Sequence, residues 1–195
     1  MLANFAANIL EAYTSPRVSA RRFMRADLSV VDCVLMVILG VVAHGIIADI
    51  MVLAVPSLAE MAGAGLVPRL AEMAVQVVMF FLLSSVAYSV GAHFEGKGTK
   101  EQLRAVVAWH ALVTGFLAPL NVLGMSGLSS DGQPGAAFPL AIISVGLSVW
   151  IFASFVAEAH GFKKIGGVIG ATIMGFMLFG LVAMVLMSAI TGGRA

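Results

Sequence analysis

From about Val30 to its C-terminal end the chain reads as five long apolar runs broken by short polar connections. The runs lie near Val30–Val55, Leu70–Ala92, Leu103–Leu123, Phe138–Ala157 and Gly166–Ile190. A helix needs about 20 apolar residues to cross roughly 30 Å of hydrocarbon, and each run supplies about that many. Their continuity predicts helices, because the strands of a membrane barrel alternate in short segments. The expected fold is all-α: a polytopic membrane helical bundle with five transmembrane helices and an N-terminal interfacial amphipathic helix. Residues 1–28 read as an amphipathic and basic cytoplasmic segment, and 29–195 as one membrane domain. The first run is long enough to need tilt or an interfacial end.

Composition supports this class, since 61% hydrophobic and 11% charged residues make the chain too apolar for an ordinary soluble domain. The placement of charge then orients it. Nine Lys and Arg fall in alternate connections: Arg17, Arg21, Arg22, Arg25, Lys97, Lys100, Arg104, Lys163 and Lys164. Two fall on the other side, Arg69 and Arg194. That asymmetry is the positive-inside pattern, and it puts the N-terminus in the cytoplasm and, after an odd number of spans, the C-terminus outside. The first sixteen residues carry no Lys or Arg, so the N-terminus does not read as a cleavable signal. No basic surface is large enough for nucleic acid. The single Cys33 has no intrachain partner and reads as a small packing residue.

Finer patterns predict local devices. Leu2, Phe5, Ile9 and Tyr13 share one helical stripe opposite Asn4, Asn8 and Glu11, ending at Ser15-Pro16. This helix either lies in the cytoplasmic membrane interface or packs on its own bundle. Arg17, Arg21 and Arg25 repeat every four residues and would stack on one helical face; there they hold anionic headgroups or only set topology. Ser57 with Glu60, and Thr99 with Gln102, have capping-box spacing. The segment 126–134 is rich in Gly, Ser and Pro and reads as a loop. In the last run Gly166 and Gly170 form GxxxG, and Gly167, Ala171 and Gly175 continue an adjacent small-residue row. Such rows let helices approach closely, within one chain or between two. The methionines of this run, Met174, Met177, Met184 and Met187, read as flexible packing.

Ionisable groups within membrane runs are costly and suggest function. His44 falls some 20 Å in from the cytoplasmic side, counting about 1.5 Å per residue, and Gln76 at a similar level, so a hydrogen bond between them is expected. Asp49 lies nearer the outer surface, within reach of Arg69 and Glu72. These groups act as a polar pair orienting the first two spans, or as a relay. His110 falls about 10 Å in, at a different depth from His44. Trp109 beside it reads as a core or an interface aromatic. A cytoplasmic rim gathers Asp32, His93, Glu95, Glu158 and His160. These are metal-ligand types, yet His93/Glu95 and Glu158/His160 are two apart and diverge on a helix. Pairing with Lys97, Lys100, Lys163 and Lys164 is the expected role, with no metal and no cofactor. No GxxxxGK[ST], HExxH or GxSxG is present, so no enzyme is expected.

Four stretches carry a resemblance: Thr14-Ser15-Pro16-Arg17; Gly96-Lys97-Gly98-Thr99-Lys100 with Gln102; Ala118-Pro119-Leu120; and Glu158-Ala159-His160-Gly161-Phe162. In their order and spacing they resemble the Yip1 family of five-span membrane proteins, particularly its bacterial members. The resemblance implies a helical bundle with a cytoplasmic N-terminus, in a bacterial inner membrane with the C-terminus periplasmic. Eukaryotic members act in vesicle traffic and bind Rab-type GTPases. Their aspartate-leucine-aromatic-glycine-proline motif is absent, because Asp27-Leu28 is followed by Ser29-Val30, and the long cytoplasmic N-terminal region is missing too; that function does not carry over.

The expected function is therefore a scaffold, assembly or accessory factor that organises membrane proteins or lipids. Its partners would be lipids and a membrane protein or a second copy. The alternative is a small transporter or ion conduit lined by His44, Gln76 and Asp49. Topology is directly testable: reporter fusions at Lys97 and Lys164 should report the cytoplasm, and a fusion after Ala195 the periplasm. A cytoplasmic C-terminus would reject five spans.

Overall fold

The computed structural model describes residues 2–54, 66–126, 135 and 137–190, with side chains left out at 2–3, 66–69, 71–72, 125–126 and beyond Leu178. The expectations for Ser57, Glu60, Arg69, Glu72, the 127–134 loop, Met184, Met187 and Arg194 lie outside what is described. Among the described residues eight helices follow in order: α1 (Leu2–Thr14), α2 (Pro16–Met24), α3 (Val30–Ala54), α4 (Leu66–His93), α5 (Lys100–Gly115), α6 (Ala118–Ser126), α7 (Phe138–His160) and α8 (Gly166–Ile190). Three are long and apolar enough to cross a membrane: α3, α4 over Met73–His93, and α7. A fourth span results if α5 and α6, bent by 56°, count as one. The described apolar part of α8, Gly166–Leu178, is shorter.

The bend has a local cause. Pro119 lacks an N–H and cannot continue the α5 ladder. The chain tightens there, with Phe116 bonding Val113 O at 3.1 Å and Leu117 bonding Thr114 O at 2.9 Å. The α5 start is capped as its sequence predicts: Thr99 Oγ1 accepts from Gln102 N–H, and Gln102 Oε1 accepts from Thr99 N–H. Ser29 and Asp32 bond each other in the same way ahead of α3. Asp32, one of the predicted rim residues, is thereby spent on a cap.

The core sits toward one end of the bundle. Residues 151–157 of α7 are buried all round, as are most of 103–113 in α5. By contrast, only 17% of the best windows of α3 and α4 is buried. Their outer faces carry a girdle of exposed Val, Leu and Ile, including Leu35, Leu39, Ile46, Val75 and Val78. Such a surface is at home in lipid and in nothing aqueous.

α1 and α2 cover the α5–α7 core from the side. The Phe5, Ile9 and Tyr13 stripe turns inward onto the hydrophobic core. Phe5 meets the Phe116 ring edge-on at 6.0 Å, and Tyr13 donates to Val113 O at 2.7 Å, a carbonyl at the α5 bend. Desolvation pushes the Tyr13 hydroxyl up to about 12. Of the two predicted placements for this stripe, the structure thus shows packing on the bundle. Trp109 is a core residue: its Nε1–H donates to buried Ser19 Oγ at 2.8 Å, and Phe23 stacks on it at 3.8 Å.

Helices associate most closely where side chains vanish. α3 and α5 form the most extensive pair. A Cβ on Gly40 would stand 2.5 Å from Ala111 O, and one on Gly115 would overlap Gly40 O. Without a hydrophobic driving force in lipid, such backbone contact supplies the association. Gly40→Leu should therefore destabilise by about 1–3 kcal/mol, read as a lowered unfolding temperature in mild detergent. Gly146→Leu, where a Cβ meets nothing within 4 Å, should leave that temperature unchanged. Equal behaviour of the two variants would reject the close α3–α5 crossing.

Candidate functional site: a histidine clasp beside an apolar groove

Three of the four stretches quoted for the family resemblance meet at the end of the bundle where α4 ends, α5 begins and α7 turns into α8. His160, the last residue of α7, is 2% exposed. Gly98 N–H donates to its Nδ1 at 3.3 Å. The ring proton therefore sits on Nε2, which donates to Ala87 O at 3.1 Å; this tautomer follows from the bonding pattern. Lys97 N–H donates to the His160 carbonyl at 3.1 Å, and the Phe162 ring lies over the imidazole at 5.4 Å.

Glycines make room for the ring. A Cβ on Gly91 or Gly96 would overlap it, and one on Gly98 would stand 2.8 Å from Ala159 O. Both helix ends beside it close as left-handed caps. Gly161, at φ 73°, lets Phe162 N–H reach Ala157 O at 2.8 Å. Glu95, at φ 61°, lets Gly96 N–H reach Gly91 O at 2.8 Å. Glu95 takes this conformation against its steric preference, so its predicted rim role becomes a backbone one.

Glu158, two residues before His160, points the other way, as the helical spacing predicts. It accepts from Arg21 Nε at 2.8 Å, and that carboxylate raises the Arg21 pKa further. Arg17 Nη2 donates to Lys163 O at 3.5 Å. Two arms of the predicted Arg17–Arg21–Arg25 stripe thus hold the α7–α8 turn, while Arg25 is the C-cap of α2. Among the described residues no rim acid or imidazole pairs with a lysine. Lys100 sits over the Tyr88 ring, 5.4 Å from its centroid, and His93 meets Phe94 edge-on at 5.4 Å. Among the described residues no three His, Cys, Asp or Glu gather as a metal site.

The intramembrane polar residues do not converge. His110 is buried between the Phe152 and Phe155 rings, with Nε2 3.2 Å from both Ser148 O and Ser148 Oγ. His44 is half-buried on α3 and Gln76 is exposed on α4. No hydrogen bond joins His44 to Gln76 among the described residues, although α3 and α4 touch. Asp49 is half-buried and has an interaction of its own.

The clasp borders a cavity of about 550 Å³, which sequence reading did not anticipate. One wall is α4 from Leu83 to Phe94, the floor is Phe152 and Val156 of α7, and the other wall is α8 from Gly167 to Phe176. Phe162, Lys163 and Lys164 stand at its mouth. α8 touches α7 through Val168 and Phe176, which pack on the core. Its small-residue row, Gly167, Ala171 and Gly175, faces the groove. A Cβ at Gly166, Gly167, Gly170 or Gly175 meets nothing within 4 Å. Among the described residues the row is therefore not buried by a helix of its own bundle, contrary to the intrachain reading. The signal was present in the row itself; what it could not show was which side would be left open.

No family model, curated protein or solved structure matches this chain.

His160→Ala should strip Gly98 N–H and Ala87 O of their partner and leave a void, a loss of about 2–5 kcal/mol. Unfolding temperature in mild detergent reads this out. Gly91→Ala should be destabilising through the same ring. A wild-type temperature for both variants would reject the clasp as a structural lock.

Proposed function

We propose that this chain is a Yip1-type integral membrane protein that organises lipids or other membrane proteins rather than transforming a substrate. In this reading α3, α4, the bent α5–α6 pair, α7 and α8 are the five spans. The N-terminus is cytoplasmic, the C-terminus periplasmic, and the membrane is the bacterial inner membrane. The observation that carries the reading is the groove between α4 and α8: a concave apolar surface, floored by a rigid α7 and lined on one side by small residues. Sites of 300–1,000 Å³ with mainly apolar walls are where proteins seat apolar ligands or helices. The convergence of two motif stretches around His160, 96–100 and 158–162, supports the same view, since their residues fix backbone geometry at the groove mouth. The buried His160 beside the groove has its bonding partners within the protein, which suits a docking element.

The full chain, affinity-purified from native membranes in mild detergent, tests this. Mass spectrometry should find a stoichiometric protein partner, a second copy or retained lipid. A lone chain that carries none of these, yet drives proton or ion flux in sealed vesicles, would overturn the reading in favour of a conduit.

A further inference from the structure

In a bilayer the α4–α8 groove cannot stand empty, and its walls give water almost nothing to bond. Its dimensions and charge select among apolar occupants. The α8 wall runs from Gly167 to Phe176, about 13 Å at 1.5 Å per residue. That is close to half of a hydrocarbon core of roughly 30 Å, or one leaflet. Among the described residues that line the groove, the cations stand at one end. Lys163 and Lys164 are exposed at its mouth, and neither side chain has an ion pair among the described residues. Of the other cations of this corner, Arg17 and Arg21 are spent on Lys163 O and Glu158, and Lys97, whose N–H bonds the His160 carbonyl, is not among the residues that line the groove. One apolar channel of leaflet depth with two cations at its interfacial end is complementary to one amphiphile. A helix from a second copy would find no use for the lysines, and would bring Lys163 and Lys164 of its own toward them if it docked in parallel.

Resting on the organising role proposed above, we infer that the groove seats one acyl chain of an anionic phospholipid of the cytoplasmic leaflet, its phosphate held between Lys163 and Lys164. Gly167, Ala171 and Gly175 leave the space the chain occupies. The Phe162 ring, fixed over His160, borders the glycerol level, so the clasp holds the mouth in shape.

The test uses the full chain, stripped of lipid in detergent and reconstituted with phosphatidylglycerol and phosphatidylcholine of identical acyl chains. Retained lipid is counted by native mass spectrometry. Wild type should prefer phosphatidylglycerol on the order of tenfold. Lys163→Gln with Lys164→Gln, both exposed and remote from the core, should bring the two lipids to parity while still holding them. Gly167→Leu with Ala171→Leu should lose both lipids alike, because leucines fill the groove without meeting a neighbouring helix. Equal retention of the two lipids by wild type overturns the inference, as does an undiminished preference in the lysine variant. So does a dimer that the leucine pair turns into a monomer: the occupant would then be a second copy, and the organising role would stand without the lipid. Purification from native membranes with no lipid, partner or second copy would instead fail the role itself.

Discussion

An imidazole ring shut away from water must find an acceptor and a donor inside the protein, and the end of this bundle is arranged around that requirement. His160 finds them in two backbone groups, Ala87 O on α4 and Gly98 N–H in the α4–α5 connection. Each is far away in sequence, so one ring joins the end of one helix, the loop that follows it and the end of a third. The bond pattern is complete only for the neutral ring, and the space is complete only if residues 91, 96 and 98 have no side chain. The consequences spread outward. With His160 turned in, helical geometry turns Glu158 out, where it meets Arg21. The left-handed Gly161 then reverses the chain so that Phe162 lies over the ring and Lys163 and Lys164 reach the groove mouth.

The bundle otherwise follows from lipid as solvent. α3 and α4 keep most of their surface for hydrocarbon, and each meets a neighbour closely at a glycine, Gly40 against Gly115 and Gly91 against His160. Among the described residues α5 and the second half of α7 are the enclosed parts, and the N-terminal pair α1–α2 covers them. Trp109 shows why this cover matters: its indole N–H would be orphaned without Ser19 of α2. At the end of α5 Val113 O accepts twice, from Phe116 N–H within the chain's turn and from Tyr13 of α1. The N-terminal segment is thus a structural part of the membrane unit, and the division at residue 28 marks a change of composition more than a change of body.

Legibility in the sequence divided along a physical line. Periodicity and continuity gave the helices, and local spacing gave the Thr99–Gln102 box and the divergence of Glu158 from His160. These are short-range features, decided within a turn or two. Partner choice was not legible. The rim charges were expected to meet lysines, but Glu158 chose Arg21, Asp32 chose a cap, and His160 chose backbone. Depth counting put His44 and Gln76 on a level, yet level says nothing of azimuth, and Gln76 faces outward. Small-residue rows state that something approaches closely without naming it. On α8, Gly167, Ala171 and Gly175 line the groove, and so do Val168 and Phe176, one residue on in register, which pack on the core as well.

That register ties stability to recognition. The α7–α8 turn is fixed from inside by His160 and from outside by Arg17 and Arg21, so the two lysines after it leave from a backbone that has little freedom. A cation on a fixed backbone loses less conformational entropy on meeting an anion than one on a mobile loop. The arginines, whose planar forks suit carboxylate and carbonyl, do the holding. The lysines, compact charges on flexible stems, are left facing the mouth. A corner that needed charge only to orient the chain in the membrane would have no reason to divide its cations between these two uses. The division follows if the turn serves both as the brace of the bundle and as the charged rim of the groove beside it.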